Sequence, residues 1–298
     1  MTLSTADAFK KFKSRLELSP TEQQDASKRQ KDVRETIDED FDVDTSFLTG
    51  SYGRHTKTKP LKDVDIFFVL GSDETHRLDR PPAEILDDFK KTLTDAYGLS
   101  AVDPDGDNRR CVTVEFDSAV PTAADDGKVL SIDAVPAFTS GSAYKIPDRH
   151  LGQWIKTDPK IHKQKASDKN KEMGGDWVPL VKMLKAWNRA QGKPIKPSFL
   201  IEVMALDLVQ PPFTTFPDEV RRFFAAAHDA IVNEWPDPAG YGPPVSDQMT
   251  GARLITAQDA LRNADKAAAR AARLESQSKQ GDALCAWRDL LGDYFPLS

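Results

Sequence analysis

Asp63 and Asp65 flank Val64 at the head of the apolar run Ile66-Phe67-Phe68-Val69-Leu70, and residues i and i+2 of a strand project from the same face. Two carboxylates therefore stand side by side. Keeping both ionised is unfavourable unless a cation sits between them, and hard oxygen donors of this kind suit Mg²⁺ or Mn²⁺. A third acid, Asp133, lies in the run Val129-Leu130-Ser131-Ile132-Asp133-Ala134-Val135, sharing one face with Ser131 and Val135. If that strand lies beside the first, three carboxylates converge, as a two-metal site needs in order to activate an attacking hydroxyl and hold a triphosphate. Upstream, Gly50-Ser51 ends the run 45–49 and opens a short helical turn. Its backbone N–H groups and the Ser51 hydroxyl can receive phosphate oxygens. A Gly-Ser pair alone is an ordinary turn, and an Asp-x-Asp pair alone is commonly solvated. In the order strand, turn, strand, with a third strand Asp downstream, they point to phosphoryl or nucleotidyl transfer.

Such residues need a sheet to hold them. Short β-branched or aromatic runs at 45–49, 64–70, 110–116 and 129–135, bounded by Gly, Pro and Asp clusters, read as strands. The spacing of Ile85, Leu86, Phe89 and Leu93 predicts a helix over 82–97, and 121–128 reads as a hairpin loop. Ahead of the sheet, Ala8, Phe9, Phe12 and Leu16 mark a helix over 4–18. Ser19-Pro20-Thr21-Glu22 then caps a second one running to about Phe41. Its thin stripe of Ala26, Val33, Ile37 and Phe41 suits a long helix lying across the outside of a domain.

From about 148 the apolar spacing turns to threes and fours, predicting helices over 148–157, 176–191, 197–209, 217–235, 256–279 and 281–292. The Pro/Gly stretch 235–244 reads as a surface connection inside this half. The expected fold is therefore α+β and bilobal: a catalytic lobe over 1–160 that includes the N-terminal helices, and a helical lobe over 161–298 completing a cleft. On the helix from Asp176, Lys182, Lys185 and Arg189 flank the stripe of Trp177, Leu180, Val181 and Leu184, a basic edge that can meet phosphate. Lys156, Lys160, Lys163, Lys165, Lys169 and Lys171 read most simply as a solvated face, with a border of the nucleotide cleft as the alternative, and His55 and Thr56 as residues shaping the turn.

The 298 residues suffice for two modest lobes with apolar cores, and the net charge of −6 argues against a protein that coats long nucleic acid. A small anion in a local basic pocket stays compatible with it. Cys111 and Cys285 lie too far apart in sequence to suggest a disulfide framework or a cysteine zinc site, so the chain reads as cytoplasmic. No window approaches the about 18 apolar residues of a membrane span, and the N-terminus lacks a signal-peptide core.

The pattern resembles the polymerase β-type nucleotidyltransferase superfamily and, within it, bacterial cGAS/DncV-like nucleotidyltransferases. The likeness rests on Gly50-Ser51-Tyr52-Gly53-Arg54-His55-Thr56, Asp63-Val64-Asp65, the stretch 131–137, Trp154-Ile155-Lys156-Thr157-Asp158-Pro159, the stretch 180–189, Pro197-Ser198-Phe199-Leu200-Ile201-Glu202 and the tail 286–296. It implies a mixed-sheet catalytic lobe, a helical lobe and a two-metal Mg²⁺ or Mn²⁺ site. It also implies condensation of nucleoside triphosphates into a cyclic di- or trinucleotide, or a short linear product, that activates an effector during phage infection. Carried over by position, Asp63, Asp65 and Asp133 match the metal ligands, with Asp133 also the candidate base; Gly50 and Ser51 match the phosphate turn. Lys185 and Ser198 match positions that hold the donor triphosphate from the helical lobe. The animal relatives that sense DNA carry a Cys/His zinc insertion, which two distant cysteines cannot build, so constitutive or partner-controlled activity of a monomer is expected. Two other readings share parts of the pattern: an RNA 3′-end nucleotidyltransferase of the CCA-adding or poly(A) type, and a catalytically silent nucleotide-binding sensor.

Overall fold

The structure is a computed structural model and describes residues 3–116 and 130–298. Two helices open the chain. Helix α1 (Thr5–Arg15) is capped by the Ser4 hydroxyl, and α2 (Pro20–Asp40) begins with the capping box that Ser19 and Glu22 predict. Strand β1 (Val43–Leu48) leads through a single helical turn, α3 (Gly50–Gly53), to β2 (Asp63–Leu70). After a 3₁₀ segment, α4 (Pro82–Tyr97) precedes β3 (Val112–Phe116), β4 (Leu130–Ser140), β5 (Ala143–Asp148) and β6 (Gln153–Thr157). The expected hairpin loop at 121–128 lies outside the described residues.

Among the described residues six strands form one mixed sheet, five of them in the order β1-β2-β4-β5-β6 and β3 off that path beside β4. Strands β2 and β4 run parallel, while β3 pairs with residues 130–134 of β4 and β5 with residues 138–140 of it. Alternation sorts β2 cleanly. Val64, Ile66, Phe68 and Leu70 pack with Ile85, Leu86, Phe89 and Leu93 of α4 and Ala26, Val33 and Ile37 of α2. Its odd-numbered residues face the other way, where Phe67 and Val69 pack on Val135, Ala137 and Tyr144. With α2 and α4 covering one face, Asp63 and Asp65 are left on the face turned from them.

The helical half comprises α5 (Pro159–Glu172), α6 (Trp177–Ala190), α7 (Phe199–Leu208), α8 (Phe216–Ala230), α9 (Gly251–Ser276) and α10 (Gln280–Leu291). Their core gathers the buried Trp177, Trp187, Phe223, Phe224, Trp287 and Phe295. Among the described residues no helix is long and apolar enough to cross a membrane.

Two expectations need correction. Helix α1 was expected to belong with the catalytic lobe, but Ala8, Phe9, Phe12 and Leu16 are buried in the helical core, with Phe9 edge-on to Trp287 at 5.0 Å and to Phe295 at 5.2 Å. Each large aromatic side chain gains about 1.5–3 kcal/mol from full burial, and α1 finds that burial among the helices, whereas the thin stripe of α2 fits the back of the sheet. Residues 148–157 are not helical either. They form the turn and outer strand of the β5–β6 hairpin, with Ile146 opposite Ile155 and Pro147 opposite Trp154. Trp154 packs edge-on to Phe138 at 5.4 Å, Ile155 packs with the Phe67 cluster on the other face, and this period of two wins over an apparent period of three and four.

Candidate active site

The parallel register sets Asp63 opposite Ser131 and Asp65 opposite Asp133. Since neighbouring strands lie about 4.8 Å apart, Asp65 and Asp133 stand side by side on one face. Asp63 is exposed at the strand's mouth, while Asp65 and Asp133 are half-buried. Burial first, and the charge of Asp63 second, push Asp65 above the usual carboxylate range; burial and then Asp65 do the same to Asp133. Asp133 is further held by the Thr113 hydroxyl, which donates to its Oδ1 at 2.6 Å. That donor is itself oriented: Asn108 Nδ2 donates to Thr113 Oγ1 at 2.8 Å, so the hydroxyl proton is directed at Asp133.

Beside Asp65 lies the α3 turn. Gly50 has φ +56°, and a Cβ built there would fall 1.7 Å from Asp65 Oδ2. Only glycine lets the turn and the carboxylate share that space. The Gly53 and Arg54 N–H groups close the turn on Thr49 and Gly50 carbonyls, leaving those at its start as donors for an anion.

These groups open on a cleft of about 530 Å³ between the lobes, lined by Gly50, Ser51, Asp63 and Asp65 from the sheet side and Lys185, Ser198, Phe199 and Glu202 from the helical side. The structure thus brings together six of the seven residues expected from sequence. Asp133 is set back from the wall, where its neighbours Cys111 and Val135 appear instead. An adjoining pocket of about 350 Å³ shares Ser51, Asp63, Lys185 and Ser198 and continues to Lys57, Lys62, Arg189, Lys193 and Lys196. In a chain of net charge −6 this is a concentrated cationic surface.

Sequence reasoning missed several residues of the cleft. Glu202 on α7 accepts a two-pronged bond from Arg54 at 2.9 and 3.0 Å and one from Lys185 Nζ at 2.5 Å. Its signal was present: a lone acid among Leu200, Ile201, Val203 and Met204 must meet a cation once buried. Arg109 and Arg110 both pair with the buried Asp148, at 2.7 and 2.9 Å, on the opposite wall. The 235–244 connection, expected as plain surface, is built into the cleft. Asp237 accepts from the Ala239, Tyr241 and Gly242 amides and lies 2.5 Å from His162 Nε2 of α5. Although burial opposes it, the His162 contact and the Gly242 amide hold Asp237 well below the usual carboxylate range.

Oxygen-only donors whose charges repel one another at the bottom of a cleft fit a hard divalent cation. Among the described residues no group of three His, Cys, Asp or Glu side chains is gathered closely enough to hold a metal ion by itself; Asp63 and Asp65 line the cleft and Asp133 lies behind its wall. That suits an ion completed by waters and substrate phosphates more than a protein-only cage.

Nucleotidyltransferases of the polymerase β type share this plan, and the fold is that of bacterial cGAS/DncV-like members. CdnC of E. coli, in its structure with ATP, superposes with a TM-score of 0.72 over 99% of both chains at 18% identity. The same protein in complex with HORMA-deltaN gives 0.70 at 18% identity over 98% of both chains. In sequence the chain is 26% identical to a cyclic AMP-AMP-AMP synthase of an Acinetobacter species, covering 99% of this chain and 87% of that protein. It is 28% identical to a protein of Bacillus cereus named as a probable cyclic nucleotide synthase, covering 83% and 81%. The family model described as Second Messenger Oligonucleotide or Dinucleotide Synthetase domain matches residues 1–170, and the chain belongs to that family.

Proposed function

We propose that this enzyme condenses nucleoside triphosphates into a cyclic di- or trinucleotide with release of pyrophosphate. The observation that carries the reading is the junction at Ser51 and Asp63, where the carboxylate face of β2 meets a pocket lined by Lys57, Lys62, Lys185, Lys193 and Lys196. Triphosphate and reacting α-phosphate find their electrostatic partners on either side of that junction. Ser51 and the start of α3 bind phosphate oxygens, Lys185 and Ser198 hold the donor from the helical lobe, and the lysine pocket neutralises the leaving pyrophosphate. Asp133, oriented by Thr113, takes the proton of the attacking ribose hydroxyl. Asp63, Asp65 and Asp133 would hold Mg²⁺ or Mn²⁺, which supplies charge neutralisation across the transferring phosphate. With an established bond at one end, the linear product re-enters with its own hydroxyl as the attacking group, and a cycle closes.

The family membership and the full set of carboxylates support a working enzyme over a silent sensor, and the net charge of −6 supports a small product over RNA ends. The product would act through a downstream effector in anti-phage signalling in the cytoplasm. The enzyme would work as a monomer open to control by a protein partner, as the HORMA complex of CdnC suggests by analogy. The test incubates purified protein with Mg²⁺ or Mn²⁺ and each labelled nucleoside triphosphate, treats with phosphatase and separates the products. A phosphatase-resistant small product is expected; label on added tRNA, or unchanged triphosphate under all conditions, would overturn the reading.

A further inference from the structure

Three charges meet where the two lobes touch, and only Lys185 among them has a direct part in the proposed chemistry. Glu202 is 2% exposed, and its carboxylate receives Arg54 of the sheet lobe and Lys185 of the helical lobe. Arg54 follows the Gly50 turn directly, at its C-terminal cap, and its guanidinium lies over the Phe199 ring at 4.3 Å from the centroid. Lys185 Nζ is also 3.4 Å from the carbonyl and the hydroxyl of Thr56, on the segment leaving the same turn. One acid thus fixes two cations from opposite walls and ties both to the turn.

The residues on either side of Glu202 in α7, Leu200, Ile201, Val203 and Met204, are apolar, so its polar partners are the two cations. Without it, Arg54 and Lys185 would face each other across a buried gap and separate. With it, two positive charges share one negative one and leave a net positive charge beside Ser51 and Ser198.

We propose that Glu202 is a positioning residue for phosphate binding: it holds Lys185 and Arg54 at the lobe junction so that the cleft presents both to a triphosphate without rearrangement. The inference rests on the reading of the cleft as a nucleotide site. Burial would raise the Glu202 carboxyl, yet Arg54 and then Lys185 hold it at about 2, so the acid stays charged throughout the working range.

The probe is inorganic tripolyphosphate, which is independent of base identity, titrated calorimetrically into the full chain with Mg²⁺. Wild type is expected to bind it, and Glu202→Gln to bind at least about tenfold more weakly. In turnover, the triphosphate KM should rise by about the same factor with kcat changed less than about threefold, the mark of lost uniform binding. Glu202→Asp keeps the charge but is too short to reach both cations; it should fold and bind about fivefold more weakly, and it decides the matter if Glu202→Gln does not fold. Wild-type affinity in either folded variant, or a fall in kcat at constant KM, overturns the role of Glu202 and leaves the nucleotide site standing. A wild-type chain that neither binds tripolyphosphate nor consumes triphosphates overturns both.

Discussion

Replacing Gly50 by alanine tests the link between the phosphate turn and the carboxylates. At φ +56° an L-residue pays about 1–2 kcal/mol in backbone energy. The new methyl would stand 1.7 Å from Asp65 Oδ2, where real Cβ atoms essentially never come within 3.0 Å, so Asp65 must retreat by more than an ångström. A displacement of about 1 Å at a reacting centre costs on the order of 10²-fold in rate. The matched control is Gly98→Ala, which also has positive φ, +86°, but nothing within 4 Å of its new methyl. Both variants should melt a few degrees lower, at about 2–4 °C per kcal/mol. Pyrophosphate release should fall about 10²-fold for Gly50→Ala and stay within about threefold of wild type for Gly98→Ala. A Gly50→Ala enzyme with activity like its control would refute the argument that turn and carboxylate share one space.

Asp65→Asn should abolish product formation by at least about 10³-fold while leaving the protein in EDTA as stable as wild type or more so, because it removes a repelled buried charge; a clear drop in melting temperature would contradict this. Thr113→Val takes away the hydroxyl that orients Asp133 and should lower kcat about tenfold with little change in melting temperature, measured by steady-state turnover. Glu202 has a folded pKa of about 2 against an ordinary 4.5, a depressed acid, so its contribution is complete above about pH 4.5 and is lost as pH falls toward 2. In urea unfolding, the stability gap between wild type and Glu202→Gln should therefore narrow from pH 5 to pH 3.5, and a gap that widens would count against the ion-pair account. Phe9→Ala should cost about 3–5 kcal/mol in the same assay, since α1 is part of the helical core; a loss below about 1 kcal/mol would show that α1 is dispensable there.

Much of the site was legible because it depends on short-range geometry. Strand alternation puts Asp63 and Asp65 on one face, and a run of β-branched and aromatic residues announces β2 without any knowledge of partners. The pairing of β2 with β4 is a long-range fact, and the sequence could state it only as a condition. Glu202 illustrates the limit: its isolation in an apolar helix signals a buried ion pair, but nothing local says that the partners are Arg54, far back in the chain, and Lys185. The 148–157 segment failed for a different reason. Trp154 and Ile155 fit either period over so few residues, and the ladder with β5 chose between them. The amphipathicity of helix α1 reveals that a face must be buried, not against what, and its partner is the helical core.

The division of the N-terminal helices has a mechanical consequence. With α1 in the helical core and α2 on the sheet, the chain passes between the lobes twice, once through Leu16–Ser19 and again near Asp158. The covalent connection between the two halves is therefore double, through the α1–α2 link and the β6–α5 link. Away from those links side chains join the two halves, among them Arg54 on Glu202, Lys185 on Thr56, and Arg189 on Thr58 and Lys59.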